Sequence, residues 1–186
     1  MGFAASVRYA VFGWKQPTPT GPDIFSSHDQ GMVRLILATV AGLTVVETIV
    51  IHILVWQASP ALSWVLTAGS LAGLVALLGL HQSLRLMPHM LLPDTLAVSA
   101  GTSGTVLVPL ADIAAARRTA DPPPREAPGH RVFGFMPETV VLLDLARPVT
   151  ARLPFGMTQE LTRLSLVVDE PDRLLRALAA RGVPVA

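Results

Sequence analysis

Glu47 stands thirteenth in the run LILATVAGLTVVETIVIHILVW, residues 35–56, in which His52 is the only other ionisable residue. An acid near the middle of a membrane-spanning helix costs ~2.5–3.5 kcal/mol on insertion scales. A residue that expensive needs a partner or a task. Two kinds of chemistry suit it: relaying a proton or ion, or hydrogen bonding across a helix–helix contact. His52 is five residues on, about 7.5 Å along the axis and about 140° around it by helical rise and twist. A direct Glu47–His52 pair is therefore not expected. Thr44, Thr48 and His52 fall on one stripe at i, i+4 and i+8, with Glu47 beside Thr44 and Ile51. The favoured expectation for Glu47 is a structural or assembly role, a hydrogen bond to the second helix or to a copy of the first. A small subunit of a transport or proton-translocating complex is the alternative.

A second set recurs every four residues: His81, Arg85 and His89, with Arg34 preceding the first apolar run at the same expected level. These residues suit contacts to lipid headgroups, or the ordinary anchoring that cationic side chains provide at a membrane surface. Two histidines make a poor metal site, and Pro88 disturbs their spacing. No metal and no cofactor is expected.

Catalytic patterns are absent from the sequence. Gly101-Thr102-Ser103-Gly104 lacks the glycine spacing of a nucleophile elbow and the lysine of a phosphate loop, so a turn explains it. Asp112, Glu138 and Asp144 are scattered rather than paired. Arg117-Arg118 and Arg147 with Arg152 read as solvated strand edges. The chain has no cysteine, which excludes disulfides and thiolate chemistry. A net charge of +1 offers nothing to nucleic acid. The expectation is a protein that is not an enzyme.

The elements that carry these residues follow from hydropathy. Charged residues make up 15% of the chain and apolar ones 51%, against roughly 25% charged in ordinary soluble domains. The excess is concentrated in residues 35–56 and in a second run that begins LSWVLTAGSLAGLVALLGL, residues 62–80. Crossing a bilayer core takes about 20 helical residues, so both runs qualify, the second extending to about residue 83. The short link Gln57–Ala61 forces an antiparallel hairpin, with Trp56 and Trp64 flanking it as interfacial rings. The second run carries small residues in two ridges, Gly69 with Gly73 and Ala68, Ala72 with Ala76, which permit close helix packing. One ridge is expected to serve the hairpin and the other to remain for oligomerisation or a membrane-protein complex. Arg8, Lys15 and Arg34 precede the first run, Arg85, Arg117 and Arg118 follow the second, and the link has none, which places both termini on the cytoplasmic side. Arginine and alanine abundance with no asparagine suggests a GC-rich bacterial gene, hence the inner membrane.

The organisation expected is a segment 1–31, a membrane hairpin 32–87, and a β-rich domain 94–182. Val7–Trp14 fits a short interfacial helix or strand, and Gln16–Asp23 an extended approach to the membrane. Strands are expected around Leu96–Val98, at Thr105–Leu110, in a hairpin of Thr139–Leu145 and Val149–Leu153 turned at Ala146-Arg147-Pro148, and at Leu164–Val168. The prolines of 119–130 mark a mobile loop. Asp169-Glu170-Pro171-Asp172 starts a helix in which Leu174, Leu175 and Leu178 face inward, Arg173, Arg176 and Arg181 stay wet, and Gly182 ends the run.

VLVPLADIAAA (Val106–Ala116), LLDLARPVTA (Leu142–Ala151) and LSLVVDEPDRLLRAL (Leu164–Leu178), behind VETIVIHILV (Val46–Val55) and RLMPHML (Arg85–Leu91), give a layout that resembles bacterial membrane proteins carrying a pleckstrin-homology-like domain. The resemblance covers residues 26–181. It implies an α-helical hairpin plus an α+β domain, an antiparallel barrel closed by the C-terminal amphipathic helix. It also implies a module that binds membrane partners or lipid headgroups.

Overall fold

The computed structural model describes residues 3–27, 31–99, 105–124, 127–134, 140–152 and 158–186. The turn expected at 101–104 lies outside them. Helix α1 is Phe3–Phe12, followed by a tight turn at Gly13–Lys15. Two long helices follow, α2 at Gly31–Trp56 and α3 at Pro60–Leu86. Both are long and apolar enough to cross a membrane, with mean hydropathy 2.0 over Leu35–Trp56 and 1.9 over Pro60–Leu86. A core helix of a soluble domain would be mostly covered, yet only 0% and 6% of their most apolar stretches is buried. The Ser59 side chain accepts from the Leu62 N–H at 3.4 Å and Pro60 occupies the first turn, so the link itself starts α3.

The segment before the hairpin is more ordered than an extended approach. The region read as helix or strand is helix, and its C-terminal end is held to α3. The Arg85 guanidinium donates to the Gly13 carbonyl and to that of Gln16 at 3.1 Å. Tyr9 Oη lies 3.5 Å from Met87 Sδ. A side chain at Gly13 would come within 3.0 Å of Gln82 Cβ, so the close approach of this turn to α3 depends on glycine.

Beyond the hairpin, β2 (His89–Leu91), β3 (Thr95–Ser99) and β4 (Thr105–Pro109) form an antiparallel meander. Its fourth strand is β1, Ile24–Phe25, paired to β2 as Ile24↔Met90 and Phe25↔His89. The first sheet is therefore ordered β1-β2-β3-β4, and it begins on the N-terminal side of the membrane hairpin. The second sheet takes the order β5-β7-β8-β6, from β5 (Ile113–Thr119), β6 (His130–Phe133), β7 (Val140–Arg152) and β8 (Thr158–Leu166).

Three expectations change here. The expected hairpin at 146–148 is one strand, β7, with a bulge. Between Asp144↔Arg163 and Val149↔Leu161, β7 advances five residues while β8 advances two. Pro148, with no N–H to give the ladder, falls inside that bulge. The loop 119–130 gives way at its end to β6, which runs parallel to β8. The two sheets do not hydrogen-bond into a closed barrel; they face each other as an open sandwich.

Alternating side chains fill the space between the sheets. Leu96, Val98, Val106 and Val108 come from the first sheet, and Val141, Leu143, Leu164 and Leu166 from the second. Phe25, 2% exposed, adds the N-terminal strand to the same core. Helix α4, Pro171–Ala180, seals it with Leu174, Leu175 and Leu178 as expected. Arg176 and Arg181 are exposed as expected, whereas Arg173 is half-buried. Arg173 Nη2 donates to the carbonyls of Gly21, Pro22 and Ile24 at 2.7, 2.9 and 3.0 Å, and its guanidinium lies 4.8 Å over the Phe25 ring. Arg181 Nη1 donates to Leu92 and Pro93 carbonyls at 3.1 Å each. After Gly182, at φ +83°, the last residues add to the β5 edge, with Ala116 N–H donating to the Pro184 carbonyl at 2.8 Å.

Candidate functional site in the helical hairpin

The two long helices meet along a seam. On α2 the half-covered residues include Leu37, Ala41, Thr44, Thr48 and His52; on α3 they include Thr67, Ser70, Leu74 and His81, with Ser63 fully covered. Most of these positions fall three or four residues apart, the spacing of one helix face. The stripe Thr44–Thr48–His52 thus lies against α3, and half of what it meets is hydroxyl.

His52 is the centre of the polar end of this seam. Its Nδ1 lies 2.7 Å from Thr67 Oγ1, Thr67 Oγ1 lies 2.9 Å from the Ser63 carbonyl, and Ser63 Oγ donates to the His52 carbonyl at 2.9 Å. Thr67 has one hydroxyl proton. Directed to the Ser63 carbonyl, it leaves the Thr67 oxygen as acceptor, so His52 carries its proton on Nδ1 and donates. The ring is also held by aromatics, stacked on Trp56 at 5.6 Å and edge-on to Trp64 at 5.2 Å. His52 is therefore the hub that joins α2 to the start of α3. Thr48 Oγ1 donates back to the Thr44 carbonyl at 2.6 Å, which satisfies its hydroxyl within α2.

Glu47 is not part of this network. It is exposed on the chain, about 100° around α2 from the seam by helical twist. Among the described residues its carboxyl makes no hydrogen bond or ion pair. The exposed residues around it are apolar: Val40, Leu43, Val50, Ile51 and Leu54. The intramolecular option for Glu47, a bond to the second helix, is not what forms.

The small ridges of α3 are not the seam either. A side chain built at Gly69 or Gly73 would meet nothing within 4 Å. Ala68 is exposed and Ala72 and Ala76 are half-buried. The hairpin packs through Ser63, Thr67, Ser70 and Leu74 instead, with the Ser63 hydroxyl satisfied on the His52 carbonyl and that of Thr67 on the Ser63 carbonyl. Sequence spacing alone ranked glycine and alanine above serine and threonine as contact residues.

The expected headgroup cluster is dispersed. Arg34 begins α2, and its side chain is outside the described set. His81 is half-buried beside Leu37, Ala38, Ala41, Leu77 and Leu78, in an apolar dent of about 170 Å³ between the helices. Arg85 is spent on the turn at 13–16. His89 is 0% exposed, inside the first sheet, and reaches no headgroup. Its Nδ1 accepts the Ser99 N–H at 3.1 Å, so the proton sits on Nε2, 3.3 Å from the Val167 carbonyl. Burial lowers its pKa from 6.5 to about 4, outweighing the Val167 carbonyl and the nearby Asp169 carboxylate, which act in the opposite direction.

Two groupings in the β domain were not foreseen. His130 Nδ1 lies 3.0 Å from the Pro124 carbonyl, which can only accept, so His130 Nε2 accepts from Ser165 Oγ at 2.8 Å. The polarity is that of a serine activated by histidine. Ser165 is 0% and His130 2% exposed, however, so no substrate reaches the hydroxyl. The pair ties the proline-rich loop to β8. Asp144 bridges Arg117 and Arg163 at 3.2 Å each, beside an open groove of about 590 Å³ also lined by Pro128, Leu145 and Thr162. Asp144 and Asp112 thus pair with arginines rather than with each other, and Glu138 lies outside the described residues. Among the described residues, no three His, Asp or Glu side chains gather as a metal site.

Compared with protein-family models, curated proteins and solved structures, the chain matches none.

Proposed function

We propose that this chain is an integral membrane protein of the bacterial inner membrane, with both termini cytoplasmic, that works by assembly rather than catalysis. The hairpin α2–α3 is its anchor. The β sandwich, the part read as pleckstrin-homology-like, is its cytoplasmic module for membrane partners or lipid headgroups. One observation carries the reading: Glu47, near mid-span, faces away from α3, the other helix of the hairpin. An acid in that position is sustained when another membrane segment receives it. The separation of Lys and Arg from the link supports the orientation.

A photo-crosslinkable residue replacing Val40, on the Glu47 side, tests the assembly. Adducts to a protein segment are expected, and adducts to lipid alone overturn the reading. A reporter fused after Ala186 is expected on the cytoplasmic side; a periplasmic signal overturns the orientation. The outward acid also suits a proton-translocating subunit. In that case Glu47→Gln abolishes a proton-coupled activity while the adducts persist.

A further inference from the structure

The segment that receives Glu47 is identified by where the glycines lie. Cross-helix contacts fix the level of α2 against α3. His52 meets Ser63 and Thr67, and Thr44, Thr48, Ser70 and Leu74 line one shared dent. Descending from the link, Glu47 therefore comes level with Gly69 and Ser70, one turn above Gly73. The side of the hairpin is fixed as well. Val45, Ile49 and Leu71 line that same dent, so they lie on one side of the seam. At about 100° per residue, Glu47 turns off the α2 seam in the opposite sense to Val45 and Ile49, and Gly69 and Gly73 turn off the α3 seam in the opposite sense to Leu71. Acid and glycines thus share one face at one depth, the acid projecting from one helix and the glycines leaving a hollow on the other.

A face built this way complements itself. A two-fold axis normal to the membrane sets α2 of one copy against α3 of the other and preserves depth. We infer that two copies of this chain pair through this face as a four-helix bundle, each Glu47 carboxyl seated over Gly69 and Gly73 of the partner copy. The glycines let the backbones approach. They also leave the helix backbone open to a polar side chain from the partner copy. The same contact forms twice. The inference rests on the membrane reading of α2 and α3 and names the partner that reading leaves open.

The cysteine-free chain suits disulfide mapping. Leu54→Cys with Leu62→Cys places two thiols on the acid–glycine face at matching depth. Within one copy the two side chains point apart, and they approach only between copies. Oxidised membranes are expected to give a covalent dimer of the full chain. Ile49→Cys with Ala68→Cys, on the other side, is expected to stay monomeric. Gly69→Leu in the first pair is expected to cut the dimer about tenfold; a Cβ there meets nothing within 4 Å in the same copy, so the hairpin accommodates the substitution. Glu47→Leu reduces the dimer and Glu47→Gln retains it. Equal crosslinking of both pairs, no dimer at all, or a dimer indifferent to Gly69→Leu overturns the inference. A Val40 adduct to a different protein, without a dimer, overturns the second copy while leaving assembly intact. Lipid adducts alone sink both.

Discussion

His89 makes the β sandwich sensitive to acid, and the size of the effect follows from its surroundings. The imidazole is fully buried at the joint between the hairpin and the first sheet, with Nδ1 committed as acceptor to the Ser99 N–H. A second ring proton must go on Nδ1, where it opposes that N–H. The folded state therefore holds the neutral ring down to about pH 4, whereas an unfolded chain takes the proton near 6.5. The unfolded state binds more protons throughout this window, so stability is full above pH 6.5 and falls as the pH drops toward 4. At about 1.4 kcal/mol per tenfold change in proton affinity, the loss is ~3 kcal/mol. The assay is amide exchange on the full chain in micelles, with protection at Ser99 and along β2–β3 compared between wild type and His89→Leu at each pH. Carboxylate contributions are common to both proteins and cancel. Wild-type protection should fall relative to the variant by about two orders of magnitude between pH 7 and 4. Parallel profiles would refute the argument.

Other outcomes follow from single contacts. Arg173→Ala removes three backbone contacts and the stack on Phe25; it should cost about 2 kcal/mol and speed proteolysis within 16–24. Gly134→Ala forces a side chain at φ +130° and 2.4 Å from Val167 Cβ, so thermal denaturation of the β domain should show a loss of at least ~2 kcal/mol. Thr67→Val deprives His52 of its acceptor and should weaken the hairpin by about 1 kcal/mol, read from its resistance to SDS; the flanking tryptophans should report the change in fluorescence.

The helices and α4 were legible because their signals are local: unbroken hydropathy in two runs, and a proline, acids and a leucine stripe in the third. Their roles were less legible. Helical periodicity placed Thr44, Thr48 and His52 on one face correctly, yet it held no information on which face of α3 would meet them. Ser63 and Thr67 won over Gly69 and Gly73 because their hydroxyls find hydrogen-bond partners on His52 across the seam, a property of the pair of helices. Strand β1 is two residues long and acquires its meaning from β2, more than sixty residues away. Strand β6 sits where prolines dominate and is fixed by a parallel partner that comes later in the chain. Arg173 looked solvated because its acceptors are backbone carbonyls of a distant segment, which no residue pattern marks.

The pairing of Phe25 with His89 has a bearing on how the protein is made. These two residues bracket the whole hairpin, so the ladder between β1 and β2 closes only when the chain leaves the bilayer on the side where it entered. A single crossing, or a third, would strand β1 across the membrane from its sheet. The latch from Arg173 to residues 21–24 arrives only with the last sixteen residues of the chain. On the proposed membrane reading, a misinserted hairpin would leave the β domain one strand short, with Phe25 outside its core.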